Sequence, residues 1–170
     1  DLEGAVREAL RTGGILDRVQ PGMRVAIGAG SRGVARLPEI VRAVVKAVRA
    51  AGAEPFVIPA MGSHGGATAE GQREVLASLG VTETTVQAPI VSSMEVVELG
   101  RLSDDVPVCM DRNAYEADGT ILINRIKPHT DFRGPIESGL AKMCVIGLGK
   151  RRTAEAIHAY GPNGLRDLIP

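Results

Sequence analysis

Gly119-Thr-Ile-Leu-Ile-Asn124 is an uncharged, β-branched run, bounded by Asp118 and by the polar residues that follow it. Such a composition is typical of a buried strand, and we interpret this run as the central strand of a sheet. Residues 24–27 and 55–59 are similar short apolar runs earlier in the chain. The three runs together predict a sheet whose strands lie far apart in the sequence.

Segments with helical periodicity separate these runs. In the clearest of them, five apolar residues after Pro38 form one stripe: Ile40, Val41, Val44, Val45 and Val48. Other helices are predicted over residues 2–11, 68–80, 138–146 and 153–160, with Thr68 as the N-terminal cap of the second of these. Strands that alternate with helices imply right-handed crossovers between parallel strands. We therefore predict an α/β fold with a mostly parallel sheet flanked by helices, in a Rossmann-like three-layer architecture.

One region departs from this plan, because strands at residues 94–99 and 106–110 follow each other without a helix between them. The chain as a whole has 170 residues, the length of one domain, and we treat residues 1–170 as a single α/β domain.

Composition excludes several classes of function. The 20 basic and 20 acidic residues give no net charge, and aromatic residues make up only 2%, so no nucleic-acid-binding surface is expected. No apolar stretch approaches the roughly 20 residues of a membrane helix, and no secretory signal pattern is present, which predicts a cytoplasmic protein without a membrane partner. Cys109 and Cys144 are too few for a disulfide framework and are interpreted as a pair of buried thiols, with a redox role as the alternative.

Gly28-Ala-Gly-Ser-Arg-Gly33 matches the dinucleotide-binding pattern G-x-G-x-x-G directly after a predicted strand. Two features argue against a nicotinamide cofactor. The next helix begins near Pro38 rather than at the last glycine, and residues 55–61 contain no acidic residue for a ribose. We instead expect a loop in which backbone amides, Ser31 and Arg32 bind a phosphate, because a guanidinium can donate two parallel hydrogen bonds.

The three histidines lie near glycine or proline. His64 in Met61-Gly-Ser-His-Gly-Gly66 and His129 in Asn124-Arg-Ile-Lys-Pro-His129 each follow a predicted strand. Parallel sheets bind ligands at the carboxyl ends of their strands, so we expect both imidazoles on one rim, where they could transfer protons or bind a metal. His158 can also be explained as a surface residue near a helix C-terminus.

Lys142 lies in a run that is otherwise small and apolar, Ser138-Gly-Leu-Ala-Lys-Met-Cys-Val-Ile146. Its amine could be solvated, could contact an anion or could carry a covalently attached group, and the apolar neighbours disfavour plain solvation. Shortly after it, Gly147-Leu-Gly-Lys150 lacks the spacing of a phosphate-binding P-loop, so its glycines are predicted to cap the end of a helix.

Four features of the sequence are informative in combination: Gly62-Ser-His64, Asn124-x-x-x-Pro-His129, Ser138-Gly-x-x-Lys142, and His158 at 16 residues after Lys142. Together they resemble the N-terminal domain of nickel-pincer-nucleotide-dependent lactate racemases. The resemblance implies racemisation or epimerisation of lactate or a related small-molecule 2-hydroxy acid. It implies that Lys142 is tethered through a thioamide to the pyridinium mononucleotide and that His158 ligates its nickel. His64 and His129 would then be the acid/base pair, and Ser31 and Arg32 would hold the cofactor phosphate or the substrate carboxylate.

The sequence departs from the family pattern in three ways. The loop Gly30-Ser-Arg-Gly33 keeps a Ser-Arg pair but lacks the family's aspartate, and the stretch between His129 and Lys142 is longer by a few residues. The family's C-terminal domain is missing, so we expect a fragment of a longer two-domain protein. The resemblance therefore leaves the hydroxy acid open, and a phosphate- or nucleotide-binding module without pincer chemistry is the alternative function.

Overall fold

A computed structural model describes residues 1–129, 133–134, 136–137 and 139–170. Its strands are β1 (Arg24–Ala29), β2 (Glu54–Pro59), β3 (Val96–Ser103), β4 (Val106–Asp111) and β5 (Gly119–Ile123). Its α-helical segments are α1 (Leu2–Thr12), α2 (Leu37–Ala50), α3 (Ala69–Ser78), α4 (Glu83–Val86), α5 (Arg112–Tyr115), α6 (Leu140–Lys142), α7 (Lys150–His158) and α8 (Gly161–Leu168). Single turns of 3₁₀ helix occupy Leu16–Arg18 and Gly65–Ala67, and a π-helical turn occupies Met143–Gly147.

Three parallel strands form the main sheet, in the order β2-β1-β5. Ile27 of β1 lies in register with Val57 on one side and Ile121 on the other. The prediction that residues 119–124 form the central strand is therefore wrong, since β1 is central and β5 pairs only with β1 among the described strands. The composition of a strand indicates whether its faces are buried, but it does not show how many other strands pair with it.

Helices cover both faces of this sheet. On one face, Ile27 and Val57 pack against α1, α2 and α3, and the apolar stripe of α2 is buried as its spacing predicts. On the other face, Ala26 and Ile58 pack against α5 and against Met143 of the π-turn. Each fully buried aliphatic side chain in these layers contributes about 1.5–3 kcal/mol. The α/β prediction, with a parallel sheet between helices, is confirmed.

The antiparallel hairpin of β3 and β4 stands apart from this sheet. It is the departure predicted for this region, although β3 begins at Val96 rather than at residue 94. Helix α7 packs on β4, where the Thr153 hydroxyl donates to the Pro107 carbonyl over 3.1 Å and accepts from the Cys109 amide over 3.0 Å. Cys109 is buried as predicted, whereas Cys144 is exposed, so the prediction of a buried thiol pair is wrong for Cys144.

The C-terminal helices differ most from their predicted bounds. The single helix predicted over residues 138–146 is the short α6 followed by the π-turn, and Ser138 lies outside the described residues. Helix α7 begins three residues before its predicted start at residue 153, and α8 was not predicted. The glycines of Gly147-Leu-Gly-Lys150 are not left-handed caps; a Cβ on Gly147 would lie 2.8 Å from the Ala60 carbonyl oxygen. Close packing of backbone on backbone therefore explains this glycine better than helix termination.

Within the part of the chain that the structure describes, none of the helices is long and apolar enough to cross a membrane.

Candidate functional site

A cleft opens at the carboxyl ends of the three parallel strands, and we call it the strand-end cleft. The loops after β1, β2 and β5 form three of its sides, and α6 with the π-turn forms the fourth. Its enclosed volume is about 110 Å³, and the cleft is open to solvent at its mouth. The polar residues that line it are Ser31, Arg32, His64, Asn124, Arg125, Lys127, His129 and Lys142.

The lining is strongly basic although the chain as a whole is neutral. Arg32, Arg125, Lys127 and Lys142 face the strand-end cleft, and none of its described lining residues is Asp or Glu. Positive charge gathered in a concave site raises the local concentration of anions. The cleft is therefore suited to a ligand that carries carboxylate or phosphate groups.

His64 is held at the rim by Ser31, whose Oγ lies 2.5 Å from His64 Nδ1. Because this contact occupies Nδ1, Nε2 is the ring nitrogen that remains for a ligand. Partial burial lowers the pKa of His64, and the positive charges of Arg32, Lys142 and His158 lower it further. His64 is therefore neutral at pH 7 and able to accept a proton.

The backbone around His64 is packed tightly on the start of α3. Gly65 adopts a left-handed conformation with φ +64°, and a Cβ there would lie 2.5 Å from the carbonyl carbon of Gly71. The Thr68 hydroxyl accepts from the Gly71 amide over 3.0 Å, which confirms the predicted cap of this helix. Glycine is required at position 65 both for its dihedral angles and for space.

His129 lies opposite and is buried, with 6% of its surface exposed. Its backbone amide donates to Glu137 Oε2 over 2.9 Å, and its ring Nε2 lies 3.2 Å from Lys142 Nζ. This amide hydrogen bond is the main reason that the pKa of the Glu137 carboxyl is lowered. An ammonium only donates, so a Lys142 ammonium can hydrogen-bond to Nε2 only when that ring nitrogen is an acceptor.

Asn124 follows β5 directly and lines the cleft. Its Oδ1 is buried and has no hydrogen-bond donor among the described residues. Buried polar atoms in native proteins almost always have a partner, so this acceptor fits a donor on a bound ligand.

The structure brings together five of the six candidate residues predicted from the sequence: Ser31, Arg32, His64, His129 and Lys142. The expectation that His64 and His129 share one rim is confirmed. His158 does not line the cleft; it is exposed at the end of α7, close enough for its charge to act on His64. The described residues contain no group of three or more His, Cys, Asp or Glu side chains that could hold a metal ion. The assignment of His158 as a metal ligand therefore stays a prediction.

Sequence reasoning missed two groups of residues. Arg125 and Lys127 line the cleft, but charged residues in a loop give no signal of which way they face. A second group, buried beneath the cleft, contains Gln72, Asp111 and Lys150. A lysine directly after Gly147-Leu-Gly149 was the available signal, since an apolar, glycine-rich context is unusual for a solvated lysine.

The fold and the site define an α/β domain with a basic cleft at the carboxyl edge of its parallel sheet, lined by two histidines and a lysine. The family model of the lactate racemase N-terminal domain matches residues 2–163, and the chain belongs to this family. Searches of curated proteins and of solved structures found no significant match.

Proposed function

We propose that this chain racemises or epimerises lactate or a related 2-hydroxy acid by hydride transfer to a nickel-pincer nucleotide tethered to Lys142. The observation that carries the proposal is that His64, His129 and Lys142 line one basic cleft, with Lys142 Nζ 3.2 Å from His129 Nε2, in a chain of the lactate racemase N-terminal domain family. That the completed site also needs a C-terminal domain stays a prediction.

The residues of the cleft fit such a cofactor. Lys142 offers an amine inside the cleft, and Ser31 and Arg32 at the end of β1 offer donors for a phosphate. The unpartnered Asn124 Oδ1 offers an acceptor for a hydroxyl or amide group. His158, which lies outside the cleft at the end of α7, would ligate the nickel, for which an imidazole is a sound ligand. When bound, the cofactor supplies the hydride acceptor that no side chain of this protein can supply.

The protein's own contribution is to bind the acid and to move one proton. Arg125 or Lys127 would hold the substrate carboxylate, and His64 Nε2 would accept the hydroxyl proton of one enantiomer. His129 Nε2 would serve the other enantiomer from the opposite side of the cleft. A general base placed in this way typically contributes about 10²–10⁴-fold to the rate.

The contact between His129 and Lys142 also supports the proposal. While Lys142 carries an ammonium group, that group occupies His129 Nε2 at 3.2 Å. An acylated lysine has no positive charge, so attachment of a group to Lys142 removes the ammonium that faces His129 Nε2. The same contact also provides a base for the proton that Lys142 must lose before it can act as a nucleophile.

Intact-mass spectrometry of protein co-expressed with the cofactor-maturation enzymes tests the tether. We expect an adduct on the parent chain and on the matched control Lys127→Ala, which removes a second lysine of the same cleft, and none on Lys142→Ala. An adduct that survives in Lys142→Ala would overturn the assignment of the tether.

Metal analysis of the same preparations tests the role of His158. We expect His158→Asn to lose nickel while it keeps the adduct mass, and His64→Asn to keep both. Full nickel content in His158→Asn would remove His158 from the proposal without affecting Lys142.

A phosphate- or nucleotide-binding module without pincer chemistry is the second candidate, favoured by the basic lining of the cleft. It predicts that inorganic phosphate or a mononucleotide binds the protein as isolated, that Arg32→Ala weakens this binding and that His158→Asn does not. No adduct on Lys142 would form in the co-expression experiment.

A further inference from the structure

A charged cluster lies wholly inside the protein, directly beneath the strand-end cleft. Lys150, the first residue of α7, and Asp111, the last residue of β4, are both 0% exposed. Lys150 Nζ lies 3.0 Å from Asp111 Oδ2 and donates to the Pro59 carbonyl over 2.6 Å. A buried ammonium is tolerated only when it is paired and hydrogen-bonded, and here it is both.

The backbone at Lys150 is strained, with φ +52° in a residue that carries a side chain. The preceding Gly149 permits the sharp turn, since a Cβ there would lie 2.2 Å from the Val145 carbonyl oxygen. Such strain persists only where surrounding contacts determine the conformation, and it is concentrated at functional sites. The buried partners of the ammonium are those contacts.

Gln72 connects this cluster to His64. The side chain of Gln72 is 0% exposed, and its Oε1 accepts from Lys150 Nζ over 3.0 Å. Its Nε2 donates to the carbonyl oxygens of Gly62 over 2.8 Å and His64 over 3.2 Å. An ammonium can only donate, so Lys150 forces the amide oxygen toward itself and the amide nitrogen toward the loop.

We infer that Gln72, oriented by Lys150, is a positioning residue that holds the His64 loop to the start of α7 and the end of β4. The catalytic meaning of this inference rests on the proposed function, in which His64 transfers a proton. Gln72 contacts the backbone carbonyls of Gly62 and His64 and not the ring, so it fixes the backbone position from which the imidazole extends. His158 lies on the same helix α7, so both residues are positioned relative to one buried anchor.

The histidine titrations of the cofactor-free chain, followed by NMR, test the inference. The chain has only three histidines, which single His→Asn variants assign. Gln72→Met keeps the bulk but removes both hydrogen bonds to the loop and the one accepted from Lys150. In this variant we expect the His64 pKa to rise toward its ordinary value of 6.5, because the loop opens to water. Amide exchange in residues 62–66 should increase at least about tenfold, the effect of losing one buried hydrogen bond on a local opening equilibrium.

Thr153→Val is the matched control. Thr153 is 1% exposed and also makes two buried hydrogen bonds, but to β4 rather than to the loop. We expect it to destabilise the protein while leaving the His64 titration and the loop amides unchanged.

An unchanged His64 titration in a folded Gln72→Met, or an equal change in Thr153→Val, would overturn the inference and leave Gln72 a structural residue. If Gln72→Met does not fold, Gln72→Asn decides by the same two readouts, since it keeps the amide on a shorter side chain. These measurements require neither cofactor nor turnover, so failure of the proposed racemase function would leave their outcome unaffected.

Discussion

The two loops that carry His64 and His129 reach the same cleft but are held in different ways. The His64 loop is fixed through its backbone, by the contact of Gly65 with Gly71 and by the buried amide of Gln72. The His129 loop has no regular structure from residue 124 to 129 and is fixed by the Glu137 carboxylate and by Lys142. One side of the site therefore depends on packing and the other on charge.

The two sides of the site should therefore respond differently to salt and to pH. Backbone packing and a fully buried ion pair are insensitive to salt, whereas a carboxylate near the surface is screened and can be protonated. The side held by charge is also the side with the lysine proposed to carry the cofactor, so its electrostatics would change on loading. The side held by packing would keep its geometry when the cofactor is attached.

The largest expected effect is on the packed side. Lys150→Met leaves the Asp111 carboxylate buried without its cation, and we expect the free energy of unfolding to fall by about 3–5 kcal/mol. Urea denaturation measures this loss. Lys127→Met, which removes a lysine from the surface of the cleft, should change stability by less than about 0.5 kcal/mol. A similar small change in Lys150→Met would show that the buried pair does not hold this side.

Two adjacent glycines allow the steric cost of an added Cβ to be measured separately from the cost of a left-handed backbone conformation. Gly65 and Gly66 both have φ +64°, but only at Gly65 would a Cβ meet backbone atoms. Gly66→Ala should cost about 1–2 kcal/mol, the left-handed penalty alone, and Gly65→Ala should cost clearly more. Thermal and urea unfolding of the two variants checks the order. Equal costs would mean that the close approach to α3 is not what fixes the loop.

On the charged side, acid should loosen the His129 loop. The pKa of Glu137 is lowered below its ordinary 4.5, so its stabilising contribution is complete above pH 4.5 and is lost as the pH falls through its folded value. We expect the His129 amide to exchange faster below that value, after correction for intrinsic exchange. In Glu137→Gln the amide should exchange faster at neutral pH as well and lose this acid dependence. Glu155→Gln, on the surface of α7, is the control.

The smallest expected effect is on the titration of His64 itself. Its pKa lies below 6.5, so the neutral ring stabilises the fold above that pH, and this contribution is lost as the pH falls through the folded pKa. Arg32→Ala removes one of the positive charges that lower this pKa and should raise it in an NMR titration. Arg36→Ala, which removes an exposed arginine paired with Glu39, should leave it unchanged. Equal His64 pKa values in the two variants would show that Arg32 does not lower this pKa.

Much of the fold could be predicted because periodicity and strand composition are local properties. The stripe of α2, the cap at Thr68 and the positions of all three sheet strands follow from neighbouring residues alone. The central position was assigned to the wrong strand because the number of neighbours is not a local property. The exposure of Cys144 was missed for a related reason, since an apolar stretch of sequence does not show which of its side chains face the core.

The sequence by itself determined which residues could do chemistry and that two histidine loops would reach one edge of a parallel sheet, because parallel strands end on the same side. Only the tertiary structure decided that Lys142 faces His129, that Ser31 occupies Nδ1 of His64, and that Gln72, Asp111 and Lys150 form a buried anchor beneath them. These contacts join residues that lie 13 to 78 positions apart in the chain. The free energy of burying a charge depends on partners that only the folded chain brings together.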